Sequence, residues 1–303
     1  MQAQSPGRSA APLLVFAALV AVYLVWGSTY LAIRFALQGY APLFFPGLRF
    51  CFAGLVLFAI LRMRGYPSPS LRQWRNSVVI GFLLLNIGNG AVVWAERSVG
   101  SGLAATAVAT VPLWASLFAG VWGVWPQRLQ WIGLVVGFAG IVVLNLGGDF
   151  AANPLAALLL VLAPATWAFG SVWSRRLDLP QGLMSSAAQM LSAGVVFMIG
   201  SAIAGESWQL EAPPKAIAAL LYLSIFGSLV AFSAYMFLVQ NVSAALATSY
   251  AYANPVVAVL LGLLLGNEHF GRTDLLAIGL VLGGVVLIVL YNRAPKPLPP
   301  TAE

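Results

Sequence analysis

The sequence predicts an all-α integral membrane protein, with ten transmembrane helices arranged as two inverted five-helix repeats. Three observations carry that prediction. The 303-residue chain is 61% hydrophobic and only 8% charged, whereas soluble domains are roughly 25% charged. Apolar runs of about 20 residues, the length that crosses a bilayer, recur along it. The two halves also repeat one another at a nearly fixed offset.

The runs fall at 12–33, 43–61, 77–95, 100–121, 129–147, 154–174, 182–204, 216–239, 243–265 and 274–291. The first follows a short tail containing Arg8, as a secretory signal would. Its apolar core exceeds the usual length of about 7 to 15 residues and continues into WGSTYLAIR without a cleavage site. It therefore counts as a span. Cytoplasmic connections are enriched in Lys and Arg. An N-terminus inside puts ten of the fifteen basic residues, among them Arg62, Arg64, Arg72, Arg75, Arg128, Arg175 and Arg176, on the inner side. Glu96, Asp149, Glu206, Glu211, Glu268 and Asp274 then lie outside. Both termini, 1–11 and 292–303, are expected to be short cytoplasmic tails.

The net charge of +7 has one dense source, RMRGYPSPSLRQWR at 62–75, which suits anionic lipid headgroups. The expected partners are membrane lipids and a small-molecule substrate, not nucleic acid. The single cysteine, Cys51, has no partner for an internal disulfide and is expected to pack. No Cys/His cluster suggests a metal, and no cofactor is expected.

A shift of 143 residues lays Val99, Leu103, Ala104, Pro112, Ala115 and Leu117 on identical residues at Val242, Leu246, Ala247, Pro255, Ala258 and Leu260. A shift of 141 lays Trp26 on Trp167 and Arg34 on Arg175, and one of 146 lays Gly133 on Gly279. The halves are thus 12–147 and 154–291, each with five spans. Because five is odd, the second half enters the membrane from the opposite side. Inverted repeats of this kind hold substrate near the midplane between the halves, where interrupted helices line the site. Pro112 and Pro255 are expected to break the fourth and ninth spans beside that path, since proline lacks an N–H and crowds the carbonyl four residues back. Glycines four apart, Gly133 with Gly137 and Gly279 with Gly283, read as close helix packing.

Polar and aromatic residues within the spans supply the candidate substrate contacts: Asn86, Asn89, Trp94, Thr110, Trp114, Trp167, Ser171, Tyr250, Tyr252 and Asn254. Each of the polar ones equally suits a bond to a neighbouring helix. Arg49 is the deepest charge, for which an acidic partner in the protein is the favoured expectation and a substrate carboxylate the alternative. Carboxylates occur only at span ends, so proton coupling has no visible agent and a neutral or zwitterionic substrate is favoured. Neither lysine follows a glycine, which excludes a Walker loop, and no HExxH, G-x-S-x-G or CxxC motif occurs. An enzyme is not expected.

The stretches VWGSTYLAIRFAL, FFPGLRFCFAG and ANPVVAVLLGLLLGNEHFGRTDLLAIGLVLGGVVLIVL resemble the EamA-type group of the drug/metabolite transporter superfamily over about residues 13–291. That resemblance implies ten helices in two inverted halves around a central cavity, alternating access, and metabolite export across a bacterial inner membrane. Within the group the chain is similar to the YddG-type exporters of aromatic and neutral amino acids. Where the family pattern has an acidic residue after the fourth span, as Glu268 follows the ninth, this chain has Trp125. It also lacks the first-span glutamate of the related multidrug pumps. Alternatives that remain are a carrier of nucleotides or sugars, drug efflux and, more remotely, a membrane enzyme.

Overall fold

The computed structural model describes residues 12–123, 125–145, 153–209, 211–242 and 244–290. The tails at 1–11 and 292–303, and the predicted half boundaries at 147 and 291, lie outside the described residues. Every regular element among the described residues is helical. In order they are α1 (Pro12–Ala36), α2 (Phe44–Met63), α3 (Leu71–Ala95), α4 (Ser101–Val108), α5 (Val111–Val121), α6 (Arg128–Asn145), α7 (Pro154–Ser174), α8 (Leu183–Ile203), α9 (Pro214–Asn241), α10 (Ala244–Ala247), α11 (Tyr250–Leu265) and α12 (Arg272–Leu290). Seven helical runs are long and apolar enough to cross a membrane: α1, α2, α3, α4 with α5, α7, α8 and α9. Shorter apolar stretches lie at Arg128–Val143 and Ala253–Leu265. Helix is the form that hydrocarbon imposes, because each backbone N–H and C=O must find its partner inside the segment.

Ends follow local chemistry more closely than hydropathy. α3 starts at Leu71, within a polar stretch ahead of the apolar run expected from 77, because Ser70 and Gln73 form a reciprocal cap. The Gln73 N–H donates to Ser70 Oγ at 3.2 Å and the Ser70 N–H to Gln73 Oε1 at 3.0 Å. Asn153 caps α7 by accepting from the Ala156 N–H at 3.1 Å.

The helices are interrupted in two ways. Val22–Trp26 in α1, Phe82–Asn89 in α3 and Leu223–Val230 in α9 are π-helical, with wider turns than the flanking α-helix. Short turns at Ala109–Thr110 and Thr248–Ser249 separate α4 from α5 and α10 from α11. Pro112 sits in the first turn of α5, where its missing N–H would have had no partner anyway. Pro255 lies inside α11, and the helix runs through it. The break expected at Pro255 is instead upstream, before Tyr250; the proline forgoes one bond, to the Ala251 carbonyl, without ending the helix.

α2 packs along α8, and α6 along α12. Glycine permits both contacts. A Cβ on Gly54 would lie 2.4 Å from Leu191 N, and one on Gly194 2.4 Å from Cys51 N, so the two backbones touch. Between α6 and α12 the close approach falls on Gly284, where a Cβ would lie 2.5 Å from both Gly133 O and Gly137 N. Gly279 and Gly283, expected as packing glycines, have no atom within 4 Å of such a Cβ. The seam uses the neighbouring register of the same helix. Side chains on outer faces, such as Leu13, Leu55 and Leu264, are exposed as a lipid-facing surface requires.

Gly54→Val forces the α2–α8 seam apart and is expected to cost about 1–3 kcal/mol, the range for overpacking. Gly279→Ala, which meets no neighbour, is expected to keep or raise stability, by up to about 1 kcal/mol, the helix-propensity gain of alanine over glycine. Thermal unfolding of the two variants in detergent checks the contrast.

Candidate functional site

The π-helical turn of α1 points Trp26 into the centre of the molecule, where it meets aromatic side chains from three other helices. Its ring lies 5.4 Å from Trp167 of α7 and 5.2 Å from Tyr250 of α11, both edge to face, and 5.0 Å from Tyr235 of α9. Edge-to-face contacts suit the quadrupoles of these rings. Trp26 and Trp167 are the pair that the internal repeat aligned. Two polar bonds extend the cluster: Ser171 Oγ with Tyr235 OH at 2.7 Å, and Tyr23 OH with Ser249 Oγ at 2.6 Å.

Trp26, Trp167 and Tyr250 of this cluster also line a cavity of about 60 Å³, well below the roughly 300–1,000 Å³ of open small-molecule sites, so the space is largely closed in this conformation. Its wall includes Trp26, Thr29, Tyr30, Arg49, Asn89, Trp167, Gly227, Phe232 and Tyr250. The Trp26 indole N–H donates to Gly227 O at 3.1 Å, fixing α1 against the π-helical turn of α9. Arg49 Nε donates to Ser228 Oγ at 2.7 Å on the same turn. Among the described residues Arg49 forms no ion pair, and its Nη1 has no hydrogen-bond partner. The acidic partner expected for it in the protein is therefore replaced by a serine hydroxyl.

Of the candidate contacts, Asn89, Trp167 and Tyr250 line this cavity, whereas Ser171 bonds Tyr235 of the ring cluster and lines a separate small pocket with it. Asn254 is buried, and with its amide turned to donate it reaches the backbone carbonyls of Tyr23 and Tyr250 at 3.3 and 3.2 Å, a contact between helices. Asn86 donates to Ala193 O on α8 at 3.0 Å and lines a separate lateral groove with Trp94. Trp94 is exposed there, with Arg97 over its ring at 4.7 Å. Thr110 is satisfied within its own turn by Ala107 O at 2.7 Å. Trp114 packs against Phe118 and Phe138, away from the cavity. The side chain of Tyr252 lies outside the described ones. Arg49, for which a substrate carboxylate is the alternative expectation, lines the cavity too; Trp26, Tyr30 and Gly227 on its wall are not among the sequence candidates, and the alignment of Trp26 with Trp167 is the one signal that points to any of them. Among the described residues no group of three His, Cys, Asp or Glu side chains forms a metal site.

Apart from the cavity, the end of α1 and the start of α4 meet in a polar cluster around Glu268. Arg34 at the end of α1 pairs with Glu268 at 2.5 Å. Glu268 also accepts from the Ser101 N–H at 2.8 Å, Ser101 Oγ at 2.6 Å and the Gly102 N–H at 3.1 Å, at the start of α4. Burial opposes its charge, but the bonds from Ser101, Gly102 and Arg34 outweigh burial and hold this carboxyl below the usual range. Glu96, just past α3, is 4% exposed and neither of its oxygens has a hydrogen-bond partner. Burial, reinforced by the Glu268 charge and opposed by Arg34, pushes its carboxyl well above 4.5.

The two carboxyls act oppositely on stability. Glu268, depressed when folded, contributes stability that is lost as pH falls through its folded value. Glu96, raised when folded, contributes stability present below 4.5 that is lost as pH rises through its folded value. Glu96→Gln, which cannot ionise, is therefore expected to gain thermal stability over the parent progressively as pH is raised. Glu268→Gln is expected to be the less stable at neutral pH and to converge with the parent in acid. Melting curves between about pH 4 and pH 8 distinguish these outcomes.

The chain matches the EamA-like transporter family over residues 13–146 and again over 154–290. It is 48% identical over 287 residues to the uncharacterized inner membrane transporter YedA of Escherichia coli (strain K12), which covers 94% of each chain. A more distant relative, 25% identical over 274 residues and covering 89% of this chain and 92% of the other, is named a probable terminal-alkyne amino-acid exporter of Streptantibioticus cattleyicolor. A solved crystal structure of 22% sequence identity shares the fold with a TM-score of 0.67, covering 94% of this chain and 99% of that one. The family's two matched segments take in the helices that build the cavity, and the chain belongs to the EamA-like transporter family.

Proposed function

We propose that the protein exports small metabolites, chiefly neutral and aromatic amino acids, across a bacterial inner membrane by alternating access. The observation that carries this reading is the central cavity, whose wall joins residues of both halves and whose closure is the meeting of Trp26 with Trp167. Sites between the halves of a repeated transporter are where substrate is held while access alternates. Aromatic faces without an acidic group suit an apolar or aromatic side chain on a neutral or zwitterionic molecule. The inner-membrane name of the Escherichia coli relative and the amino-acid exporter name of the Streptantibioticus relative support the location and the cargo class.

The same reading takes the chain as ten spans in two inverted halves with both termini cytoplasmic. Separate family matches to 13–146 and 154–290 support two units. So does the way repeat mates touch: α2 packs on α8 and α6 on α12, as elements beside a pseudo-two-fold axis do. The π-helical segments Phe82–Asn89 and Leu223–Val230 also occupy matching positions in the two halves. With the Arg-rich connections inside, the aromatic cluster and its Ser171–Tyr235 and Tyr23–Ser249 bonds close the cytoplasmic side in this conformation. Lipids and the small-molecule cargo are the partners in this scheme, and nucleic acid has no part in it.

Uptake of labelled amino acids into proteoliposomes tests the reading. Saturable uptake of neutral or aromatic amino acids is expected above empty liposomes, and Trp167→Ala is expected to lower it by about tenfold, equivalent to about 1.4 kcal/mol. If no amino acid moves while the protein is folded, the amino-acid assignment fails and sugars, nucleotides and organic cations become the cargo to test.

A further inference from the structure

Arg49 lies one and a half turns into α2 and is 3% exposed. Withdrawing a guanidinium from water is costly unless it is paired and hydrogen-bonded. The chain positions it with care. Ser228 takes Nε, the Phe50 ring lies 4.7 Å from the guanidinium carbon, and Gly227 clears the space beside Nη2, where a Cβ would stand 2.9 Å away. Nη1 has no partner, and the residue lines the central cavity. Two further buried polar atoms on the same wall, Asn89 Oδ1 and Trp167 Nε1, also have none. Arg49 is a charged donor, Trp167 a neutral donor and Asn89 a neutral acceptor. Buried polar groups left unmatched in a folded protein call for an explanation, and a shared cavity supplies one.

We propose that Arg49 is the docking point for a carboxylate, and that the transported class is small monocarboxylates with an apolar or aromatic body. The proposal uses the cavity of the transport reading above but does not require the cargo to be an amino acid. A guanidinium offers parallel N–H donors that match a carboxylate, at a strength that neutral pairs do not reach. Charge sets the class. Arg49 is the single Lys, Arg, Asp or Glu among the residues lining the cavity, so one negative charge balances it. A phosphate ester at neutral pH carries more and would leave charge uncompensated among apolar walls, whereas an organic cation would meet a like charge. Asn89 Oδ1 is available to accept from an ammonium or amide N–H, and Trp26, Trp167 and Phe232 give the same wall its aromatic character. An α-amino acid satisfies all of these at once; a simple arylalkanoate satisfies all but the acceptor.

The test measures binding of matched ligands to the purified full-length protein by calorimetry, using L-phenylalanine, 3-phenylpropionate, 3-phenylpropanamide and phenethylamine. The parent is expected to bind at least one of the two acids about 30-fold or more tighter than the amide and the amine. Arg49→Gln is expected to lose about 30- to 1,000-fold in affinity for the acid, as truncating one member of a buried charge pair does, with amide binding retained. Arg49→Lys is expected to recover part of the loss. Binding of 3-phenylpropionate without L-phenylalanine supports the carboxylate dock while removing the amino-acid reading. Equal affinity of the parent for acid and amide overturns the proposal, as does undiminished acid binding by a folded Arg49→Gln. Failure of the folded parent to bind either acid overturns it too. If Arg49→Gln does not fold, the acid-to-amide ratio on the parent decides, since it needs no variant.

Discussion

Hydrocarbon offers no hydrogen bonds, so a chain in a bilayer departs from helix only where protein or a cavity receives the freed backbone. In this protein the departures converge. The π-helical segment Val22–Trp26 supplies Trp26, Phe82–Asn89 supplies Leu85, Gly88 and Asn89, and Leu223–Val230 supplies Gly227. Val108 closes α4 just before one turn and Tyr250 opens α11 just after the other, and both line the same space. The cavity is therefore the place where the membrane's constraint is relaxed. Its polarity comes partly from the backbone: the Gly227 carbonyl takes the Trp26 indole N–H. Arg49 lies against such a turn, bonded to Ser228 and fitted into the space that the missing Cβ of Gly227 leaves.

That convergence explains which features were legible in the sequence. Hydropathy places the long helices because burial in lipid is a property of about 20 residues together. A π-helical turn depends on how one helix meets its neighbours, and FLLLNIGN and LSIFGSLV carry no composition that separates them from ordinary helix. Prolines mark the neighbourhood of the breaks without marking the break itself. Pro112 falls just after the turn it accompanies, whereas Pro255 lies well inside α11. Facing is harder still. Asn86 and Asn89 are three residues apart on one helix, yet Asn86 bonds the Ala193 carbonyl while Asn89 opens on the cavity. A polar side chain among apolar ones is equally consistent with either role, and only the neighbouring helix decides.

The molecule's rigidity is unevenly spread. α2 with α8 and α6 with α12 meet backbone to backbone through Gly54, Gly194 and Gly284, leaving no side-chain layer to slide. Such seams are close-packed and resist continuous deformation. By contrast, α1, α4 and α11 are tied near Glu268 by directional bonds from Arg34, Ser101 and Gly102. Hydrogen bonds and ion pairs have two discrete states, made and broken, and they exchange with water when broken. Glu96 lies buried beside them without a partner of its own, so the cluster holds two carboxyls around one arginine. A rearrangement of α1 against α4 must pass through these bonds, whereas the glycine seams can travel as bodies.

Under the proposed carboxylate dock and alternating access, cargo enters this mechanical picture through Arg49. A conformational change is driven by a ligand only as far as the ligand favours one state over another. With the cavity empty, any state that shuts out water leaves the guanidinium with Ser228 as its one hydrogen-bonded partner and its charge unbalanced. A carboxylate bound at Nη1 balances that charge. Occlusion is then disfavoured for the empty protein by burying one ion and permitted for the loaded one, where a pair is buried with its hydrogen bonds made. Selectivity and access are consequently the same electrostatic fact: the group that identifies the cargo is also the group that makes closing over it affordable in free energy. A neutral molecule of equal shape fills the space and leaves Arg49 unbalanced, and so gives the protein no reason to close.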